Sequence, residues 1–171
     1  EAPKVDVRPM VEWEPMRSIV MQYPGGYSGY TDVTQSFVDI AKHSLTVAEV
    51  WFIVDGQQAI NTLRSKLQAE GVSQDVLDTK LKFLTTQIDS IWFIDSGPLP
   101  VISLADGTFA FTDFRYYHQR PIDDGISTLL GRKLPELGQE SVTSTYRMPL
   151  SVEGGTFQAT EDGICITGNR Q

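Results

Sequence analysis

Trp92-Phe93-Ile94-Asp95-Ser96-Gly97-Pro98 is the stretch around which the rest of the chain can be interpreted. The hydrophobic segment that leads into it, residues 90–94, predicts a buried strand that ends at Asp95, directly before a Gly-Pro turn. A carboxylate held at a strand end suits a flat cation, because it accepts two hydrogen bonds from a guanidinium group. The alternative is that Asp95 only caps the turn by bonding to its own backbone.

Composition restricts the class of protein. The chain has 171 residues, of which 40% are hydrophobic and 21% charged, as in a globular protein with one domain. A net charge of −8 argues against a nucleic-acid partner or an anionic membrane surface. No apolar run is long enough for a membrane span, and the carboxylates show no metal-ligand spacing. We therefore expect no metal and no cofactor.

The order of patterns along the chain predicts an α/β fold with mixed sheets. We expect an N-terminal arm over residues 1–16 that ends by packing Trp13, and one domain over residues 17–171. Strands are expected over residues 17–23, 47–54, 81–86, 90–94, 99–105, 108–114, 142–150, 156–160 and 164–167. Helices are expected after a cap at Thr31 or Asp32, over residues 57–70, over 73–77 and after a cap at Asp123 or Asp124. Asp106-Gly107 predicts a type I′ hairpin.

Five motifs occur in order along the chain and resemble one family. They are Glu12-Trp13-Glu14-Pro15-Met16, Ser18 to Pro24, Trp92 to Pro98, Asp113 to Asp124, and Glu153-Gly154-Gly155-Thr156. The third resembles W-x-R-D-x-G-P, and the fourth is similar to D-F-x-Y-N-R-x-R-P-x-D-D. Together they resemble the agmatine deiminase and bacterial peptidylarginine deiminase family of guanidino-modifying enzymes.

The resemblance implies a fold and a reaction. The family fold is a β/α propeller of five modules, of which this chain would supply about two, the N-terminal half. The family hydrolyses a guanidino group to a ureido group and ammonia, using a nucleophilic cysteine and a histidine. Neither has a counterpart in this chain, so the resemblance implies no catalytic residue here and places both on a missing C-terminal piece or a second chain.

The resemblance also implies a set of substrate-binding residues. They are Trp92, Asp95, His118, Arg120 and Glu153. Asp95 would bind the guanidinium, and Arg120 the carboxylate of a C-terminal arginine. The chain departs from the pattern where His118 and Ile94 each replace an arginine, and His118 lacks the planar fork of a guanidinium. The alternative is that His118 and Arg120 lie in a solvated turn.

Three further residues have plainer interpretations. Cys165 lies in an apolar strand without an adjacent base, so we expect a small hydrophobic side chain in a structural role. Asp123 and Asp124 are most simply helix caps. Glu153-Gly154-Gly155 is not a phosphate loop, because no Gly-Lys-Ser/Thr follows it.

The sequence thus predicts the N-terminal portion of a deiminase-type hydrolase, inactive alone, that acts on a C–N bond of arginine peptides or of a guanidino small molecule such as agmatine. Its expected partner is the C-terminal half as a second chain, or a second copy of itself. The alternative is a catalytically dead binding, structural or assembly protein with the same fold. Because the chain starts at Glu1, we also expect signal-peptide removal and a secreted or periplasmic location.

Overall fold

The computed structural model describes residues 3–25, 33–138 and 142–168. Their strands are β1 Val7–Pro9, β2 Ser18–Tyr23, β3 Glu49–Val54, β4 Leu81–Thr85, β5 Leu99–Ser103, β6 Phe109–Arg115, β7 Val142–Ser151, β8 Phe157–Ala159 and β9 Cys165–Thr167. Their α-helices are α1 Thr34–Ser44, α2 Gln57–Ala69, α3 Gln74–Thr79, α4 Phe93–Ser96, α5 Pro121–Asp124 and α6 Ile126–Lys133. Two 3-10 turns, Leu134–Leu137 and Gly154–Thr156, follow α6 and β7. The mixed α/β architecture with several sheets is as the sequence predicts.

Contacts divide the chain into two compact units, which are described separately. One unit spans residues 15–91, and the other combines the described parts of residues 1–14 and 92–171. The limits of an arm at 1–16 and a domain at 17–171 stay a prediction. None of the helices in the described ranges is long and apolar enough to cross a membrane.

The unit of residues 15–91 is a three-stranded parallel sheet in the order β2-β3-β4 with α1, α2 and α3. Its central strand β3 is almost continuously apolar because it is covered on both sides, and five of its six residues are buried. The helices contribute Val38, Leu63, Leu67 and Leu77, none of which is exposed. This core confirms the strand and helix pattern predicted for residues 17–86.

Helix boundaries in this unit follow local signals, with one wrong assignment. Ser73 caps α3 by accepting a hydrogen bond from the Val76 N–H, and Gly71, with φ +86°, ends α2. The expected caps of α1, Thr31 and Asp32, lie outside the described residues. The apolar spacing of the sequence predicts that Phe37, Ile40 and Ala41 share one face of α1. Ala41 is buried, but Ile40 is half exposed and Val38 is buried instead.

The other unit contains a four-stranded mixed sheet in the order β1-β5-β6-β7. Strands β1, β5 and β6 are antiparallel neighbours, whereas β6 and β7 run parallel. The β5–β6 hairpin is confirmed, but the type I′ turn is wrong. Type I′ needs positive φ at both central residues, and in the described backbone only glycines, including Gly107 at +72°, have positive φ. A four-residue loop, 104–107, connects the strands.

Residues 90–94 do not form the predicted buried strand. Strand β4 ends at Thr85, and the chain forms the single helical turn α4 across Asp95. Its backbone bonds are local: the Gly97 N–H donates to the Phe93 carbonyl at 2.7 Å. Trp92 is 41% exposed and Ile94 is 69% exposed. The four apolar residues 91–94 fit a strand or a helical segment equally well, and the Ser-Gly-Pro at 96–98 favours a turn.

Three smaller predictions also differ from the structure. Trp13 was expected to pack, but it is 67% exposed and its indole N–H donates to Glu161 Oε1 at 2.6 Å. Cys165 lies in strand β9 as predicted, yet it is exposed because β9 pairs only with β8 within the described chain. Asp123 and Asp124 lie inside α5, which begins at Pro121, so neither caps a helix.

Candidate functional site

Asp95 joins two motifs that are far apart in the sequence. Its Oδ1 accepts a hydrogen bond of 3.1 Å from the backbone N–H of Gly155, sixty positions further along the chain. The carboxylate is therefore oriented by a second backbone segment and not by a strand end. A carboxylate fixed in this way keeps its remaining lone pairs for another hydrogen-bond donor.

The two glycines after Glu153 make this close approach possible. A Cβ added to Gly155 would lie 2.4 Å from Asp95 Oδ1, and a Cβ added to Gly154 would lie 2.1 Å from the Ile94 carbonyl oxygen. Real Cβ atoms essentially never come so close, so only glycine fits at either position without a shift. The Gly-Gly pair thus has a steric role, which is to bring the 3-10 turn against α4.

A second part of the site is built around Tyr116, at the end of β6. The Arg120 guanidinium donates to the Tyr116 hydroxyl at 2.9 Å. Its Cζ lies 5.9 Å from the ring centroids of both Tyr116 and Tyr117. Guanidinium groups are attracted to aromatic faces, so the two tyrosines hold Arg120 in place. A planar, fixed guanidinium is well suited to bind a carboxylate.

Electrostatics connect the two parts of the site. Burial raises the pKa of the Tyr116 hydroxyl; Arg120 opposes the rise, while Asp95 and Asp123 add to it. Helix α4, which carries Asp95, packs against α5, which begins directly after Arg120.

An ion network of Asp113, Arg147 and Asp124 supports the segment that carries Tyr116 and Arg120. Asp113 is fully buried and accepts hydrogen bonds from Arg147 Nη1 at 2.7 Å and from the Thr128 hydroxyl at 2.6 Å. Burial raises the pKa of Asp113, although Thr128 and Arg147 oppose the rise. Arg147 also forms an ion pair with Asp124, whose other oxygen accepts the Tyr116 backbone N–H. The network thereby fixes both ends of the segment that carries Arg120.

The turn α4 has a separate anchor on α6. The Ser127 hydroxyl donates to the carbonyl of Ser96 at 2.8 Å, and Ser127 is completely buried. The Ser96 hydroxyl in turn donates to the Trp92 carbonyl at 3.1 Å. Neither serine was predicted to matter, and both bonds lie within the unit that holds Asp95. They fix the position of the turn that carries the carboxylate.

The structure brings some of the predicted site residues together and leaves others apart. Asp95 contacts the Gly155 backbone that follows Glu153, and Arg120 contacts Tyr116. Trp92 stands exposed at the start of α4, and Glu153 is half-buried, with its carbonyl accepting the Thr156 N–H at 3.0 Å. His118 is exposed in the turn before Arg120, so the solvated-turn interpretation describes its side chain.

The sequence interpretation missed Tyr116, Arg147 and Ser127. Tyr116 had a detectable signal, since an aromatic pair precedes an arginine by three and four residues. Arg147 and Ser127 had none, because their partners lie elsewhere in the chain. In the described ranges, no three His, Cys, Asp or Glu side chains group in a way that could hold a metal ion.

Known proteins resemble this chain in sequence and in fold. A family model described as Porphyromonas-type peptidyl-arginine deiminase matches residues 8–171. The structure is similar to C. jejuni agmatine deiminase, with a TM-score of 0.72 and 15% identity, covering 95% of this chain and 45% of that one. It is also similar to an agmatine deiminase of Enterococcus faecalis, with a TM-score of 0.67 and 22% identity, covering 92% of this chain and 41% of that one. The search of curated proteins found no significant match.

These likenesses support the fold and the family. The chain spans less than half the length of the two solved structures, and at these identities the structural match shows the fold alone. The family model, in contrast, matches nearly the whole chain, residues 8–171. The chain therefore belongs to the Porphyromonas-type peptidyl-arginine deiminase family.

Proposed function

We propose that this chain is the guanidinium-binding, N-terminal portion of a peptidylarginine or agmatine deiminase-like hydrolase. The observation that carries the proposal is the hydrogen bond between Asp95 and the Gly155 backbone. It orients a carboxylate on α4, the helix that packs against the one directly after Arg120. Such a pair matches the two charged ends of an arginine at a peptide C-terminus.

The reaction divides between this chain and a partner. In the proposed reaction a thiolate attacks the central carbon of the guanidino group, ammonia leaves, and water releases the ureido product. This chain binds and orients the substrate: Asp95 accepts N–H bonds from the delocalised cation, and Arg120 donates to the substrate carboxylate. The nucleophilic cysteine and the histidine that this reaction needs belong to a C-terminal piece of the same protein or to a second chain. Together the two pieces form the five-module propeller, of which this chain is about two modules.

Arginine peptides suit this site better than agmatine does. Agmatine has no carboxylate, so it would leave Arg120 without a substrate partner. The stacking of Arg120 on two tyrosine rings is an arrangement that a site for a simple amine does not need. The substrate class that we propose is therefore a peptide with a C-terminal arginine.

Binding by this chain alone tests the first half of the proposal. N-acetyl-Gly-Arg is titrated into the parent protein, into Asp95→Asn and into the control Asp39→Asn, whose carboxylate lies on α1. Hydrogen bonds to a charged group contribute about 1.5–3 kcal/mol, so we expect Asp95→Asn to bind roughly tenfold more weakly or worse. Asp39→Asn should bind like the parent. Equal affinity of the parent and Asp95→Asn would refute the role of Asp95.

Reconstitution tests the second half. The chain is mixed with the corresponding C-terminal portion of a family member, and citrulline formation is measured from the same peptide. We expect product only when both pieces are present and Asp95 is intact. A confirmed complex that binds the peptide but forms no citrulline would instead favour the second candidate, a binding protein that kept the fold and lost the reaction. The exposed positions of Ile94 and His118, where the family pattern has arginines, favour that candidate.

A further inference from the structure

Two exposed isoleucines lie beside the charged groups of the site. Ile94 precedes Asp95 in α4 and is 69% exposed, and Ile122 follows Arg120 by two residues in α5 and is 37% exposed. Helices α4 and α5 pack next to each other. Each short helix thus carries or adjoins one charged binding group and also presents one apolar side chain at the surface.

Ile94 adjoins the carboxylate itself. A point beside the Gly155 Cα, where a Cβ would stand, is 2.4 Å from Asp95 Oδ1 and 3.7 Å from Ile94 Cγ2. The methyl group and the carboxylate oxygen are therefore neighbours over the same glycine. A guanidinium bound to Asp95 extends an aliphatic stem, and an apolar surface next to the carboxylate can cover that stem.

We propose that Ile94 and Ile122, with the exposed ring of Trp92, form an apolar platform that selects peptides with an apolar residue immediately before the C-terminal arginine. This inference rests on the proposed function, because the charges fix where the arginine lies. Its guanidinium lies on Asp95 in α4 and its carboxylate on Arg120 directly before α5, so the preceding residue is within one peptide unit of an arginine that lies along these two packed helices. Covering the exposed isoleucines with an apolar side chain removes apolar surface from water and favours binding, whereas a charged side chain would lose hydration there without gaining a hydrogen-bond partner.

The test compares three peptides that differ only in the preceding residue: N-acetyl-Leu-Arg, N-acetyl-Gly-Arg and N-acetyl-Asp-Arg. Each is titrated into the parent chain and followed by calorimetry. From the apolar area of a partly covered leucine, we expect the leucine peptide to bind roughly fivefold or more tightly than the glycine peptide. The aspartate peptide should bind most weakly.

Variants locate the effect. In Ile94→Ser and in Ile122→Ser, the ratio of leucine-peptide to glycine-peptide affinity should fall towards one. The matched control is Ile164→Ser, because Ile164 is 59% exposed in the same unit but lies in the turn before β9. Its ratio should equal that of the parent. Circular dichroism of each variant verifies that the fold is kept. If one isoleucine variant fails to fold, the other still tests the platform.

The outcomes separate this inference from the proposed function. If leucine and glycine peptides bind the parent equally, the apolar platform is wrong while the arginine site stands. If the preference exists but survives both isoleucine substitutions, the platform is likewise wrong. If no arginine peptide binds at all, the proposed function fails and this inference fails with it.

Discussion

Replacing Gly155 by alanine tests the geometry on which the site depends. The added Cβ would stand 2.4 Å from Asp95 Oδ1, whereas ordinary contacts begin at 3.4 Å. The carboxylate and the glycine backbone must therefore separate by about 1 Å. The hydrogen bond between them, 3.1 Å long in the parent, cannot survive such a shift.

Two costs follow from this displacement. The loss of the oriented carboxylate should weaken peptide binding by the value of a charged hydrogen bond, about 1.5–3 kcal/mol, or tenfold and more in Kd. The free energy of unfolding should fall by less than the roughly 1–3 kcal/mol of an overpacked core, because Gly155 is exposed and the Asp95 carboxylate can move away. The two effects are measured separately, the first by titration with N-acetyl-Gly-Arg and the second by urea unfolding.

Gly168→Ala is the matched control, because a Cβ there would meet only the Thr156 Cβ at 3.8 Å, an ordinary contact. It should change neither the affinity nor the unfolding midpoint beyond error. A folded Gly155→Ala protein that binds the peptide as tightly as the parent would show that Asp95 does not need the Gly155 backbone, and the reasoning about the site would be refuted.

Three other changes have defined outcomes. Arg147→Ala leaves the buried carboxylate of Asp113 without its ion partner, so the free energy of unfolding should fall by about 3 kcal/mol in urea titration; a loss below about 0.5 kcal/mol contradicts this. Hydrogen bonds from the Arg8 side chain and the Val11 backbone N–H lower the pKa of Glu14 to about 2. The stabilisation from this carboxylate should therefore be complete above pH 4.5, and the free energy of unfolding should decline as the pH falls from 4.5 towards 2. The decline should be smaller in Arg8→Gln. Identical plots of unfolding free energy against pH for the parent and Arg8→Gln would contradict a stabilising Arg8–Glu14 ion pair. Cys165→Ser should keep parental peptide affinity and stability, because the thiol is exposed and its Sγ contact is a weak one of 3.8 Å to the Gly163 carbonyl; a loss of binding would give the cysteine a direct role.

Local patterns in the sequence identified most regular elements. The alternation and continuity of apolar residues predicted the strands and helices of residues 17–86, because β3 and α2 are buried in ways that leave a clear periodic pattern. Gly71 after α2 and Gly163 between β8 and β9 have positive φ, which glycine adopts readily at helix ends and in turns. These features depend on residues close together in the chain, and one sequence is enough to find them.

The failures occurred where a short segment depends on distant partners. Residues 90–94 are apolar enough for a strand, but their conformation is decided by contacts with the Gly154-Gly155 turn and with Ser127. Asp124 has the spacing of a cap, yet its carboxylate is fixed by Arg147 from another strand. Rules of local propensity take no account of partners that lie so far away in the sequence.

The sequence by itself determined the family and the α/β class, since the order of motifs and the apolar pattern are properties of the chain that need no tertiary contact. Only the tertiary structure decided that the Asp95 carboxylate is oriented by the Gly155 backbone and that two tyrosines hold Arg120. The physical reason is that hydrogen bonds and ring contacts depend on distances in space. Asp95 and Gly155, which form the central hydrogen bond of the site, are sixty positions apart in the sequence.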